Sequence, residues 1–364
     1  MTQRISSQQR DLRIDFFRGL SLLLIVANHI DLFSQKFYFK FSLKWLQPGF
    51  SDAAEIFVFL SGYVYGIVYF KYLNNNDFGK LYFKSFYRFV QLYFVNIFTL
   101  FIILAIYGLF KTYIDPNLIA AGGVAHFFQN PHSSSIFAIL MIYAPALINV
   151  LPLYMLLLLV MPFYLKLMKK KMWLALAISF VIYLLPHFFS WLNLPAYPFA
   201  SGEKYPWSRG WAFNPFVWQF LFLLGMIISI SLKYKDLKIP RNRILITLAI
   251  IILALSTIPR ITFILQKFGM MNTNWIGKIP FTAKKTLAPF RLIHFFSLAY
   301  LISIIFPVDH RLFKNKFAKP IIKCGQHSLE VFSFGIILTY TSYYLLIILG
   351  ISEFKYYLLT IISW

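Results

Sequence analysis

The chain is short of several things that common protein classes depend on. It has a single cysteine, Cys324, in 364 residues, so no intramolecular disulfide and no thiolate-based metal site is available to it. Charge is scarce: 13% of the residues are Asp, Glu, Lys or Arg, against roughly 25% in soluble domains. The charge present is lopsided, with 12 acidic residues against 35 Lys and Arg and a formal net charge of +23. The familiar signature loops are missing too. There is no phosphate loop, no Gly-x-Ser-x-Gly elbow, no His pair at i,i+4 and no His-x-x-Glu-His. These absences argue against a nucleotide-cradling loop, a serine elbow and a histidine-built zinc site. No metal and no bound cofactor is expected.

Apolar bulk fills the gap. Hydrophobic residues make up 59% of the chain and aromatics 20%, with 42 Phe. Runs of spanning length fall near 16–33, 50–70, 85–110, 147–166, 173–192, 213–232, 244–265, 286–306 and 328–349, and a shorter one at 355–364. A helix needs about 20 apolar residues to cross a bilayer. The expectation is an all-α, polytopic membrane bundle of about ten transmembrane helices, forming one domain over 1–364 without internal repeats. The stretch 136–146 is apolar but too short to span, and is expected to re-enter or to extend the next helix outward. The N-terminal basic residues precede an apolar stretch, as in a signal peptide. Arg18 lies inside that stretch, however, and His29 and Asp31 stand where small residues would mark a cleavage site. It is read as a retained first helix.

Basic residues sit in the loops between the runs, which makes the bilayer rather than nucleic acid the expected partner. With the N-terminus placed inside, inner loops hold roughly twice as many Lys and Arg as outer ones. This predicts an inner-membrane protein with a cytoplasmic N-terminus.

Ionisable residues inside the runs are costly in hydrocarbon and rarely face lipid. Asp15, Arg18 and His29 share the first run. Arg18 and His29 are eleven residues apart, close to three turns, so they fall on one helix face separated by about 16 Å in depth. Arg18 then offers a cation near the inner side and His29 an imidazole near the outer side. An Asp15–Arg18 ion pair that merely fixes packing is the plainer alternative. The second run opens with Gly49-Phe50-Ser51-Asp52-Ala53-Ala54-Glu55. Asp52 and Glu55 share a face at the depth of His29. A carboxylate beside an imidazole sets its tautomer and raises its basicity, as a general base needs; a structural salt bridge is the alternative. Arg291, His294 and Asn214 fall in the outer third with many aromatics. Such a set suits a sugar or an anionic acyl group.

Several stretches carry a family resemblance. They are Arg13-Ile14-Asp15-Phe16-Phe17-Arg18-Gly19-Leu20, then His29, then Gly49 through Tyr63, Leu151-Pro152-Leu153-Tyr154, Phe213-Asn214-Pro215-Phe216-Val217-Trp218-Gln219, Leu287 through Phe295, and Gly325-Gln326-His327-Ser328-Leu329-Glu330-Val331-Phe332. Taken in order, the chain resembles the OpgC family of integral-membrane proteins that modify osmoregulated periplasmic glucans. The Arg18–His29 spacing and Leu60-Ser61-Gly62-Tyr63 are also similar to the related acyltransferase 3 pattern. The resemblance implies transfer of an acyl group, succinyl in that family, from cytoplasmic acyl-CoA to a hydroxyl of an extracytoplasmic glycan. On that reading His29 is the general base, oriented by Asp52 or Glu55. Arg291 or His294 stabilises the oxyanion, and Arg18 holds the CoA phosphates or fixes Asp15. The chain departs from the family pattern at Gln326, where Arg is usual, and at Glu330, where Pro is usual. Two other classes compete. Buried Arg, His and carboxylates also serve proton-coupled transporters, and a non-enzymatic partner in glycan assembly would need no reactive cluster at all.

Overall fold

The structure, a computed structural model, describes residues 10–33, 49–114, 119–143, 145–189, 191–197, 210–267 and 283–349. Among the described residues the regular elements are helices. They are α1 (Leu12–Phe33), α2 (Ala53–Asn74), α3 (Phe78–Phe110), α4 (Ile119–Gln129), α5 (Pro131–Ile139), α6 (Val150–Phe188), α7 (Pro215–Tyr234), α8 (Arg243–Lys267), α9 (Pro289–Ile305), α10 (Ala318–Gln326) and α11 (Ser328–Ile348), with a 3-10 turn at Arg311–Lys314. Five of them, α2, α3, α6, α7 and α11, are long and apolar enough to cross a membrane, whereas the apolar parts of α8 and α9 are shorter. The expected run at 355–364 lies outside the described residues.

The 39 residues of α6 unite two of the expected runs, and the chain reverses inside it. Lys171 leaves helical geometry at φ −142°, ψ 82°. Just before it, Lys169 donates to the Leu73 carbonyl at 2.5 Å and to Asn76 Oδ1 at 2.7 Å, both at the finish of α2. Just after it, Met172 meets Lys235 at the finish of α7. Further on, Ser179 donates to Gln219 in the first turns of α7 at 2.6 Å, and Tyr183 donates to the Leu287 carbonyl ahead of α9 at 3.0 Å. The two halves therefore run in opposite senses, as two separate runs would. The basic cluster Lys169-Lys170-Lys171 interrupts the apolar pattern where the chain turns.

The segment 136–146 does not extend α6. Pro131 starts α5 at a position where its missing N–H costs nothing, and the helix stops at Ile139. Beyond it Tyr143 forms an isolated parallel bridge with Tyr197. The Tyr143 hydroxyl donates to the Gly123 carbonyl in α4.

Two glycine pairs set how closely the helices pack. A Cβ on Gly62 of α2 would strike the Phe222 carbonyl of α7, and one on Gly225 of α7 would strike the Phe59 carbonyl of α2. Likewise Gly19 of α1 sits against the Ile321 carbonyl of α10, and Gly325 against the Asp15 carbonyl. Backbones approach this closely only where side chains are missing. In α10, Ala318 and Ile322 face inward and Lys319 and Lys323 outward. Cys324 lies partly buried there, and burial pushes its thiol above the ordinary value.

The described helices thus define two ends. The near end holds the starts of α1 and α11, the finishes of α2 and α7, and the Lys171 reversal. The far end holds the starts of α2, α7 and α9.

Candidate functional site

At the far end the backbone makes the first arrangement. Gly49 adopts φ +85°, in the left-handed region that side chains disfavour, and a Cβ there would also run into the His294 ring. The turn delivers Asp52 as the N-cap of α2. Its Oδ1 accepts the Ala54 N–H at 2.9 Å, and Glu55 Oε2 accepts the Asp52 N–H at 2.9 Å. This is a capping box, in which a local pair satisfies the helix's first free donors.

Each carboxylate keeps one oxygen for a long-range partner. Glu55 Oε1 accepts Arg291 Nε at 2.6 Å, and both side chains are buried. Asp52 Oδ2 accepts Lys284 Nζ at 2.8 Å and a longer contact from Arg291 Nη2 at 3.4 Å. Two carboxylates thus face two cations. On the same face of α9, three residues after Arg291, His294 Nδ1 lies 3.2 Å from the Ser51 backbone nitrogen and 2.6 Å from Ser51 Oγ.

His29 is half-buried in α1 and lies within electrostatic reach of Lys284 and Asp52. Neither Asp52 nor Glu55 hydrogen-bonds its ring, and Asp52 reaches it through its charge alone. The capping box and the two cations already occupy those carboxylates. Asn214 is buried at the rim of the same end. Its Oδ1 caps α7 through the Phe216 N–H at 3.1 Å and its Nδ2 holds the Leu192 carbonyl at 2.8 Å.

The near end differs. Asp15 and Arg18 do not pair. Asp15 takes both hydrogen bonds from Arg10, at 2.5 and 2.8 Å, and a longer one from Gln326 at 3.4 Å. That bonding holds the Arg10 guanidinium above its ordinary pKa. Arg18 turns instead to Ser328, donating from Nη2 to Oγ at 2.6 Å, while its Nε is buried without a partner. Arg18 and Arg88 both line a cavity of about 270 Å³ together with Ser61, Tyr154, Gln326 and Ser328. Among the described residues no Asp or Glu lines it. Tyr154 donates to Ser61 at 3.2 Å. Phe57 stacks on Phe332 at 6.1 Å and meets Tyr154 edge-on at 5.6 Å. Glu55 and Ser61 are six residues apart on α2, about 9 Å, so these rings lie between the far cluster and the cavity floor. A second, apolar groove of about 500 Å³ runs between α1, α2, α7 and α9, with Arg13 and Lys238 as its charged lining.

Arg88 reads from the sequence equally as a loop cation or as a ligand for CoA phosphates. Three other participants escaped the sequence reading: Lys284 reads as an ordinary loop cation, and Ser51 as part of a motif. Arg10 precedes the first run. Each is placed by contacts across the bundle, for which the local pattern carries no sign. Glu330, a span-edge acid by sequence, is exposed. Among the described residues no three His, Cys, Asp or Glu side chains gather as a metal set requires.

No curated protein and no solved structure matches the chain. The family described as OpgC protein matches residues 10–362, which takes in α1 with Arg18 and His29, the capping box of α2, and the cluster of α9. The match extends over nearly the whole length, and the apolar helices fit a membrane protein: the chain belongs to the OpgC family.

Proposed function

We propose that the protein is a membrane O-acyltransferase that moves an acyl group from acyl-CoA in the cytoplasm to a hydroxyl of an extracytoplasmic glycan. The observation that carries this reading is the division of α1. One end places Arg18 in a cavity with a second guanidinium and no carboxylate, and the other end carries His29 beside a neutral charge cluster. A cavity lined by two cations favours an anion, and the phosphates of CoA or the carboxylate of a dicarboxylic acyl group such as succinyl supply one. The near end is then cytoplasmic, in keeping with Lys169, Lys170, Lys233 and Lys235 gathered there. The protein sits in the inner membrane with its N-terminus inside.

His29 acts as general base. It takes the proton of the acceptor hydroxyl as that oxygen attacks the thioester carbonyl. A C–O bond forms and the carbonyl oxygen becomes an oxyanion. Collapse restores the carbonyl, breaks the C–S bond and releases the thiolate of CoA, which recovers the proton from His29. Asp52 acts on His29 through its field rather than through a hydrogen bond. Asn214 shapes the acceptor side by pinning the Leu192 segment to α7.

The test is mass spectrometry of periplasmic and surface glycans from cells with the intact gene, without it, and with His29→Ala. An acyl mass lost in both altered strains supports the reading and names the group. Identical glycans in all three overturn it, and ligand flux in proteoliposomes without a donor would then favour a transporter.

A further inference from the structure

The groove between α1, α2, α7 and α9 takes no part in the reaction proposed above. It encloses about 500 Å³, and its walls are of two kinds. Along most of its length they are apolar. Phe59 of α2 meets Phe295 and Phe296 of α9 edge-on at 5.1 and 5.8 Å, and Leu60, Ile228 and Ala299 continue the surface. At the near end stand two cations, Arg13 in the first turn of α1 and Lys238 just after α7. No Asp or Glu among the described residues lines the groove.

The two cations are not equivalent. Arg13 donates to Asp11 at 3.1 Å and to the Phe306 carbonyl at 3.3 Å, which ties the start of α1 to the finish of α9 and shapes the mouth. Lys238 is exposed and forms no ion pair among the described residues. Its loop is held in place from both sides. The Leu237 N–H donates to the Ser231 carbonyl at 3.1 Å, and the Tyr300 hydroxyl of α9 donates to the Pro240 carbonyl at 2.7 Å. Leu237 and Ile239 are exposed on either side of Lys238, and Arg241 and Arg243 follow. Apolar side chains left exposed among cations suit the boundary between lipid headgroups and acyl chains rather than open water.

The dimensions narrow the occupant. From Phe295 to Ser303 the α9 wall runs eight residues, about 12 Å. Half of a hydrocarbon core of roughly 30 Å is about 15 Å. The groove therefore spans close to one leaflet, with its cations where the headgroups of that leaflet lie. A sugar would leave its hydroxyls unpaired against these walls, and a soluble anion would use only the mouth. A basic pocket between membrane helices, continued by an apolar slot one leaflet deep, matches an anionic phospholipid.

We propose that the groove holds one anionic phospholipid of the leaflet at the near end, its phosphate on Lys238 and Arg13 and an acyl chain along Phe59, Phe295 and Phe296. The site shares no lining residue with the Arg18 cavity, so its occupancy can be read without acyl transfer and stands apart from that reading.

The test is native mass spectrometry of the full chain released from nanodiscs of phosphatidylcholine with a minor share of phosphatidylglycerol. One phosphatidylglycerol retained per chain is expected. Lys238→Ala should weaken retention roughly fivefold, the worth of one cation beside an anionic lipid. Ala299→Phe, which fills the slot, should abolish it. Lys170→Ala removes an exposed cation of the same end that does not line the groove, and should leave retention unchanged. Equal retention of the two lipids overturns the proposal, because it would mean an unselective chain contact. Equal losses in the Lys170 and Lys238 variants overturn it too, because they would mean a diffuse field. A lipid still retained by Ala299→Phe places the chain elsewhere. Displacement by sn-glycerol 3-phosphate at concentrations similar to those of the lipid would leave a phosphate site without a chain, and either result sinks the assignment.

Discussion

At the far end Asp52 and Glu55 face Lys284 and Arg291, whereas the near cavity is lined by Arg18 and Arg88 with no acid among the described residues to balance them. The contrast separates two uses of buried charge. A balanced cluster is complete without a ligand. Its groups hold one another in place, and its worth is geometric. An unbalanced pair repels across the cavity until an anion arrives, so binding energy is reserved for that anion. Asp15 lies close enough to have neutralised Arg18, yet Arg10 holds it with two hydrogen bonds. The near cavity stays cationic because its nearest carboxylate is engaged elsewhere.

The sharpest division between the ends comes from substitutions that separate activity from stability. His29→Ala should cut acyl transfer by about 10²–10⁴-fold, the usual worth of a general base, with an unchanged thermal transition. A variant that keeps most of its transfer rate removes His29 from the chemistry. Arg291→Ala should act in the opposite way, lowering stability by about 3–5 kcal/mol, because it strands the buried carboxylate of Glu55. Denaturant or thermal unfolding in detergent reads this directly. The paired replacement Glu55→Gln with Arg291→Met should recover most of that loss without recovering activity. Full recovery of both would mean that the cluster is only packing.

Near-end substitutions should reverse the pattern. Arg18→Ala or Arg88→Ala should raise the donor KM by roughly 10–100-fold, equivalent to about 1.5–3 kcal/mol for a hydrogen bond to a charged group. Stability should hold or rise slightly as like-charge repulsion falls. A large loss of stability in both would equate the two ends and break the comparison. Gln326→Arg should have the smallest effect, a change of roughly two- to fivefold in donor KM. The new cation would share Asp15 with Arg10, a partly exposed pairing worth about 0–1 kcal/mol. Titrating donor KM against salt in this variant checks the sign: an added cation steepens the dependence.

Much of the frame was legible in the chain. Hydropathy located the runs that became α2, α3, α7 and α11. The basic cluster from Lys169 onward marked a break inside α6. Helical period placed Arg18 and His29 on one face of α1, where they point to the two ends. The Asp-x-x-Glu pattern was legible too, but it admits two meanings. The bonds formed are those of a capping box at a helix start and of salt bridges to Lys284 and Arg291, the plainer of the two. The short apolar stretch at 136–146 was ambiguous for a different reason. Its eleven residues fit a re-entrant piece or a helix extension equally well, and the bridge to Tyr197 that decided the matter lies more than fifty residues away.

What the amino-acid order determined by itself is whatever depends on neighbours along the chain: membrane-compatible helices, their caps, the close-packing glycines, and which residues share a helical face. Partner choice was left to the tertiary structure. Glu55 meets Arg291 across 236 positions, Ser51 meets His294 across 243, and Arg18 meets Ser328 across 310. A charge inside a bilayer must find a partner or a polar cavity, and several candidates satisfied that demand on paper. Only the packing of α1 against α10 and α11, and of α2 beside α9, brought particular groups within hydrogen-bonding distance.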